Sequence, residues 1–504
     1  MPYLPFHVQK RLKIPLFTGP ALDPKRHCFK TSGMGEEIEK SRFTKEDFRE
    51  FDRRLREEAD LLEVWFSKHR FAETEPYGGY ELEACMVDEH FRPAPKNHEF
   101  LKKLGNPLVV HELSLFNVEF NGEPEKLTGK GLSRLHKGLE KTWKEAQKTA
   151  AEMGLKILMI GILPTLKNKD LCPGNMSYAK RYKAINQQIL HLRKGKPIEF
   201  SLKLNDGIKT IHTDVMLEAA ATSFQIHLKV RPGNGIRYYN ASKIASAPMV
   251  GIAANSPYLF GRNLWAETRI PLFERAVSVG KWDYCERVTF GVRYIENSLF
   301  GVFQANRQRY PVLLPKLFDA PPKEMRHTRL HNGTIWRWTR PIIGRDKDGA
   351  PHLRIEHRPI PAGPTVIDQI ANMAFFYGLV EMLVKEMPDL VWDIPFFDAR
   401  DNFYQAARHG LEATVVWKEQ SYLLKDLVLE VLLPLARQGL RVLGIDQEDS
   451  DSYLGIIEAR AKSGQNGATW QRAFMAGGGK SMEDLCAAYF EHQEAGHPVH
   501  EWPV

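Results

Sequence analysis

Residues 75–88 read EPYGGYELEACMVD. The run opens on a glycine turn and continues as an alternating strand. Successive side chains of an extended chain point to opposite faces, so Glu81 and Glu83 project from one face while Leu82 and Ala84 turn to the core. Two carboxylates that close repel each other, and both stay ionised only when exposed or bridged by cations. A solvated hairpin edge is the plain alternative, and this stretch alone does not choose between them.

The same question recurs at residues 352–361, HLRIEHRPIP. As a strand it places Arg354, Glu356 and Arg358 on one face, with Ile355 and His357 on the other. A surface ladder in which the arginines neutralise Glu356 accounts for that pentapeptide by itself. A third acidic stretch, HELSLFNVEFNGEP (111–124), holds Glu112 and Glu119 seven apart, about two turns if helical, with Asn121 and Pro124 just after. Its plain alternative is an exposed helix residue. Recurrence shifts the balance, because desolvated carboxylates inside apolar-patterned elements are rarely tolerated without a cation. Oxygen-rich sites of this kind suit Mg²⁺ or Mn²⁺, which in turn suit nucleotide phosphates. In TSFQIHLKV (222–230), Gln225 and His227 lie on a polar, wet face opposite Phe224, Ile226 and Leu228. Either residue is a candidate to complete a metal or phosphate site, although a lone strand histidine is more often structural.

The chain has 504 residues, enough for about three domains or for one large catalytic unit with a helical annex. Apolar residues make up 43% and charged ones 26%, ordinary for a soluble globular protein. The longest apolar stretches, LVLEVLLPLA and PMVGIAA, are too short and interrupted to span a bilayer. The opening MPYLPFHVQKRLKIPLF sets prolines and charges where a secretory segment needs a continuous apolar run, so a cytoplasmic protein with no membrane partner is expected. Cys28, Cys85, Cys172, Cys285 and Cys486 are scattered and odd in number, which argues against a disulfide framework or a zinc knuckle. Net charge is +8, but the basic residues are interleaved with 62 acids. There is no basic arm, aromatic RNA-binding motif or finger spacing, so a nucleic-acid partner is disfavoured. A basic pocket for a small anion accounts for the surplus.

Thr44 and Asp47, followed by Phe48, Phe51, Leu55, Leu62 and Trp65, predict an N-capped amphipathic helix leading into the first strand. SRLHKGLEKTWKEAQKTAAEMG predicts a helix ending at Gly154, and LKILMIGILP a buried strand stopped by Pro164. After about residue 365 the pattern is helical throughout, in IDQIANMAFFYGLVEMLVKEM, DNFYQAARHGLEA and YLLKDLVLEVLLPLARQGL. Strands mixed with helices followed by an all-helical tail point to α+β. AGGGKS (476–481) fails as a phosphate-binding loop, since Phe474 stands where that motif needs glycine and no apolar strand precedes it. It is expected to be a loop.

Together these stretches resemble the glutamate–cysteine ligase family, in the branch that includes the bacterial carboxylate–amine ligases, and more distantly glutamine synthetase. Gly79, Glu81 and Glu83 match the family's GxExE strand, and Glu112, Glu119 and Pro124 its E-six-residues-E segment. TSFQIHL is similar to its threonine–glutamine strand. AANSPYLFGRNLWAETR is similar to its ANSP segment with the following glycine and arginine, here Ala254 to Pro257, Gly261 and Arg269. RIEHR is similar to the R-x-E-x-R strand of glutamine synthetase and the E-x-R strand of the ligases. The five motifs stand in family order between roughly residues 35 and 470.

The resemblance implies a curved antiparallel sheet of the glutamine synthetase and guanidino kinase catalytic type, flanked by helices. It divides the chain into an N-terminal extension (1–40), a catalytic domain (41–385) and a C-terminal helical region (386–504) packed on it. It implies Glu81, Glu83, Glu112, Glu119 and Glu356 as metal ligands, Arg358 on the nucleotide phosphate or transferring phosphoryl group, and Arg269 as a bidentate holder of the substrate carboxylate. Gln225, His227, Asn255 and Arg354 fall to nucleotide or substrate. The implied cofactors are ATP and Mg²⁺ or Mn²⁺, and the implied partners are an amino-acid carboxylate and an amine. ATP would phosphorylate the carboxylate, typically the γ-carboxylate of glutamate, and the amine, cysteine in the family's namesake, would displace phosphate. Pro359, Ile360 and Pro361 depart from the small residue and aspartate that many ligases carry there, and Gln225-Ile226-His227 replaces an H-x-H of several relatives. The alternatives are a phosphotransferase like the guanidino kinases and a non-catalytic nucleotide-binding protein of the same fold.

Overall fold

A computed structural model describes residues 37–38, 40–73, 75–280, 286–386 and 390–504. Apart from residues 37, 38 and 40, the N-terminal extension expected over 1–40 lies outside them. The first helix, Lys45–Ser67, begins as its sequence predicts. The Thr44 side chain accepts from the Asp47 N–H while the Asp47 side chain accepts from the Thr44 N–H. Phe51, Leu55 and Leu62 are buried along its inner stripe.

The stretch after the glycine turn becomes strand β1 (Tyr77–Val87), buried throughout after Tyr77. It is the hub of an antiparallel sheet. On one edge it pairs with β3 (Asn117–Asn121), which pairs in turn with β2 (Val109–His111). The short β4 (Glu125–Lys126) and β5 (Lys156–Leu158) pair with its two ends. A separate hairpin, β6 (Ile198–Leu202) with β7 (Ile208–His212), precedes β8 (Phe224–Val230), which joins the other edge of β1. After the small hairpin β9 (Tyr258–Leu259) and β10 (Arg262–Asn263) come β11 (Thr339–Arg345) and β12 (Pro351–His357). The sheet order is then β11-β12-β8-β1-β3-β2.

Register decides which residues meet. Glu83 lies opposite Glu119, Glu81 opposite Gln225, Glu356 opposite His227 and Arg340 opposite Glu356. Residues paired across strands share a face, so these side chains, with Arg354, project together. The opposite face is apolar, with Leu82, Ala84, Val118, Phe120, Phe224, Ile226 and Ile355 all buried. The helix Val366–Glu386 lies against that face, where Phe376 stacks on His357 at 4.4 Å and the Tyr377 hydroxyl donates to the carbonyls of Gly79 and His227. By length and composition its span Val366–Lys385 is apolar enough to cross a bilayer, but 94% of that window is buried inside the fold.

Four expectations need correction. Glu112 and Glu119 are not on a helix: Glu112 follows β2 and Glu119 sits within β3, because the apolar residues between them form a strand pair with β1. The expected wet face of β8 is buried, with Gln225 at 2% and His227 at 7% exposure, since β1 and β12 flank it on both sides. LKILMIGILP pairs only over Lys156–Leu158. Beyond it, Gln493 and Tyr489 of the helix Met482–Ala495 take over the hydrogen bonding of Met159. The tail is not wholly helical, for Thr414–Trp417 (β13) and Gln420–Leu423 (β14) form a hairpin. Its turn residues Lys418 and Glu419 both have positive φ, the backbone that a tight two-residue turn requires. AGGGKS is a loop, as expected, between a helix ending at Ala476 and the cap Ser481.

Candidate active site

The polar face of the sheet carries two groups of ligand atoms, each within 4.8 Å of one another. Glu81, His227 and Glu356 form the first, on β1, β8 and β12. Glu83, Glu112 and Glu119 form the second, on β1, the turn after β2, and β3. The surface ladder considered for RIEHR is excluded, because Arg354, Glu356 and Arg358 are exposed by only 9%, 0% and 6%.

In the first group His227 Nε2 lies 3.5 Å from Glu81 and 3.8 Å from Glu356, and has no hydrogen-bond partner. Burial pushes this imidazole down to about 3, so it is neutral and offers a lone pair. Burial, reinforced by the charge of Glu356, pushes the Glu81 carboxyl up to about 7. Glu356 behaves oppositely. Burial alone would raise it, but the guanidiniums of Arg340 and Arg358 hold it well below the usual carboxylate range. Arg340 is bidentate, with Nε and Nη2 at 2.7 and 2.8 Å from the two Glu356 oxygens.

In the second group burial, then the charge of Glu112, pushes Glu83 up to about 7, and burial with the charges of Glu81, Glu112 and Glu83 holds Glu119 well above the usual carboxylate range. Each acid is oriented by few donors. Glu83 accepts from the Ser223 N–H at 2.7 Å and Gln225 Nε2 at 3.2 Å, Glu112 from the Leu113 N–H at 2.8 Å and the Tyr182 hydroxyl at 3.1 Å, and Glu119 from Asn121 Nδ2 at 3.0 Å. Carboxylates with so few donors, Glu83 buried and Glu112 and Glu119 half-buried, keep lone pairs directed at one another, an arrangement that a hard divalent cation relieves. The residues fit two such ions, and Mg²⁺ or Mn²⁺ would be held by five carboxylates and one imidazole.

Other expected residues separate into contacts and supports. Gln225 bridges the groups, donating to Glu83 while its oxygen accepts from Arg358 Nη1. Arg358 also lies 3.2 Å from Glu356. Arg354 faces a cavity of about 680 Å³, and its Nε is buried without a hydrogen-bond partner. The same cavity reaches Gly79 and His227, so it opens at the end of the first ligand group. Two residues are not brought to the ligands in the expected role. Arg269 is engaged by Glu267 and by the carbonyls of Arg358 and Pro359, and its guanidinium stacks on Trp338 at 5.3 Å. A fork so committed orients the Arg358 segment instead of a free carboxylate. Asn255 is fully buried, donating to the Ala362 carbonyl and the Tyr489 hydroxyl and accepting from Gln471, which makes it a tie between loop and C-terminal helices.

Sequence reasoning missed Arg340 and Glu218. The Asp348-Gly349 pair is a hairpin signal that sets the β11–β12 register and hence puts Arg340 opposite Glu356. Glu218, on the short helix Met216–Ala220, is half-buried beside Glu112 and Glu83. Burial and those two charges hold its carboxyl well above the usual range. No periodicity marks it, because its helix is a single short turn.

A family model, glutamate–cysteine ligase family 2 (GCS2), matches residues 78–491. Over 148 residues the chain is 26% identical to a candidate glutamate–cysteine ligase 2 of Trichormus variabilis, covering 28% of this chain and 36% of that protein. The match thus spans about a third of the length of that curated relative. The glutamate–cysteine ligase of Francisella tularensis, crystallised in complex with AMP, superposes with a TM-score of 0.51 at 13% identity over 86% of this chain and 91% of that one. A bifunctional glutathione synthetase from Pasteurella multocida gives 0.47 at 12% identity, over 87% and 54%. The architecture, a curled antiparallel sheet flanked by helices, is shared with that Francisella ligase. Because the family model runs through every strand that bears a ligand, from Gly78 to Glu491, this chain belongs to the glutamate–cysteine ligase family 2.

Proposed function

We propose that the protein is an ATP-dependent carboxylate–amine ligase that joins the γ-carboxylate of glutamate to the amine of cysteine. The observation that carries this reading is the pair of ligand groups on one sheet face, the first of them reached through His227 by a large cavity that Arg354 also lines. Family membership and the AMP bound by a Francisella ligase of the same fold support a nucleotide there. Divalent cations held by the two groups would neutralise phosphate charge and polarise the transferring phosphoryl group. Arg354 would bind phosphate oxygens from the cavity side, and Arg358 would meet them from the other. A carboxylate oxygen of the acid displaces ADP from the γ-phosphorus to give an acyl phosphate. The amine nitrogen then attacks the acyl carbon, phosphate leaves, and the nitrogen gives up a proton. Glu83, Glu112 and Glu218 lie at the end of the site away from the cavity, where the acid and amine would sit.

The test is phosphate release from ATP and Mg²⁺ across a grid of acids and amines, run beside Glu119→Gln. Phosphate that requires both glutamate and cysteine, and is lost in the variant, is the expected result. Release with ATP and one substrate alone, or no release with any pair, would sink the ligase reading. Glu119 is the better probe than Glu356, since replacing Glu356 also strips Arg340 of its partner.

A further inference from the structure

The cavity has a polarity that the ligand groups do not explain. Its floor holds the buried Arg354 and His227, whereas its rim exposes Glu73, Glu123 and Asp348, with Glu75 paired to Lys126, against a single exposed lysine, Lys347. An anionic phosphate chain is drawn to the floor and repelled from the rim. At the rim stands Tyr77, the first residue of β1, 37% exposed although it belongs to the central strand. Lys229 Nζ lies 5.5 Å from its ring centroid, and that lysine is locked by both oxygens of Asp346 at 2.7 and 2.8 Å. The same Asp346 pairs with His352 Nδ1 at 2.9 Å. The ring is thus braced by a fixed cation while its exposed part lines the cavity.

Period-two alternation puts Tyr77, Gly79, Glu81 and Glu83 on one face. Tyr77 and Glu81 are four residues apart, about 13 Å of strand. Gly79 lies between them, and a Cβ there would meet nothing closer than 3.9 Å, so packing does not demand the glycine. Its missing side chain leaves bare backbone between ring and ligand group, room for a ribose and phosphates to run along the strand. From rim to floor the wall offers an aromatic face, carboxylates able to accept from hydroxyl groups, a bare stretch, a guanidinium and cation ligands. That order is the order of groups in a nucleoside triphosphate.

We propose that Tyr77 is the base platform of this cavity, stacking on the purine of the nucleotide whose phosphates reach Arg354 and the Glu81 group. The proposal rests on the nucleotide reading above. It is tested by calorimetric titration of the full chain with ATP and with inorganic tripolyphosphate at fixed Mg²⁺, using wild type, Tyr77→Phe, Tyr77→Ala and Tyr77→Leu. The leucine variant keeps bulk at the strand end in case alanine fails to fold. Stacking predicts that Tyr77→Ala or Tyr77→Leu weakens ATP about tenfold, leaves tripolyphosphate within about twofold, and that Tyr77→Phe keeps ATP affinity. Equal loss of both ligands would make Tyr77 a structural residue, and no loss of either would place the base elsewhere. Each of those outcomes overturns the platform while ATP binding stands. A wild type that binds neither ligand would overturn the nucleotide reading itself, and this inference with it.

Discussion

Six carboxyl groups, Glu81, Glu83, Glu112, Glu119, Glu218 and Glu356, share one site face, and only Glu356 has a dedicated guanidinium fork. The consequence is a measurable pH dependence. Glu81 and Glu83 are pushed up to about 7 from 4.5 by burial. A carboxyl whose folded value is raised binds more protons folded than unfolded between those limits, so its stability contribution is full below about 4.5 and is lost as pH rises through about 7. Chelator-treated protein is therefore expected to lose stability between about pH 4.5 and 7, by of order 1–3 kcal/mol per carboxyl. Mg²⁺ or Mn²⁺ should raise the melting temperature more at pH 8 than at pH 5, and Glu83→Gln should flatten the chelated profile. A chelated profile that rises with pH would show that the carboxyls are already neutralised by protein groups. Arg340 gives the complementary case. Arg340→Met leaves Glu356 buried without its fork and should cost about 3–5 kcal/mol in urea denaturation. Arg340→Met with Glu356→Gln should recover part of that loss, which tells a broken pair from a packing defect.

Helix packing depends on close backbone approach. Between the helices Val366–Glu386 and Leu433–Leu443, a Cβ on Gly439 would fall 1.8 Å from the Gly378 carbonyl oxygen. The obstructing atoms are backbone, so neither helix can yield without losing this close approach, and Gly439→Ala should cost about 3 kcal/mol or more. Gly455, on the neighbouring helix Gln447–Ser463, has nothing within 4 Å of its Cβ position. Gly455→Ala should therefore stabilise by about 0.5–1 kcal/mol through helix propensity alone. Equal effects of the two substitutions in thermal denaturation would refute the close-approach argument.

At the scale of the molecule, the C-terminal residues close the structure over its core. Trp502 is 3% exposed and packs edge-on against Trp470 at 5.0 Å and flat on His492 at 5.1 Å. Asp368, paired with Arg460 at 2.7 Å, accepts from the Val499 N–H at 3.1 Å. Those contacts link the helix that backs the sheet to the last residues described. Trp502→Ala should cost about 3–5 kcal/mol and lower the cooperativity of unfolding across the whole chain, as read by urea titration. Loss confined to a separate C-terminal transition would instead mean that the two regions unfold independently.

Local periodicity was enough to find three strands of the site, β1, β8 and β12. Alternation in GGYELEACMV and RIEHR put the acids and arginines on one face, and the Thr44 cap marked the first helix to the residue. These features depend on neighbours along the chain, which a sequence displays. Only the tertiary structure decided which acids meet. Glu81, His227 and Glu356 come from three strands up to 275 residues apart, and their grouping follows from antiparallel register, a non-local property. The same cause turned a helix-like spacing at Glu112 and Glu119 into a strand and buried the face of β8 expected to be wet, while tertiary packing outside the sheet engaged Arg269 with Glu267 and two carbonyls and Asn255 with Ala362, Tyr489 and Gln471. Burial, too, belongs to the assembled sheet. It turns acids that would be ordinary surface carboxylates in the isolated strands into a cluster that calls for cations.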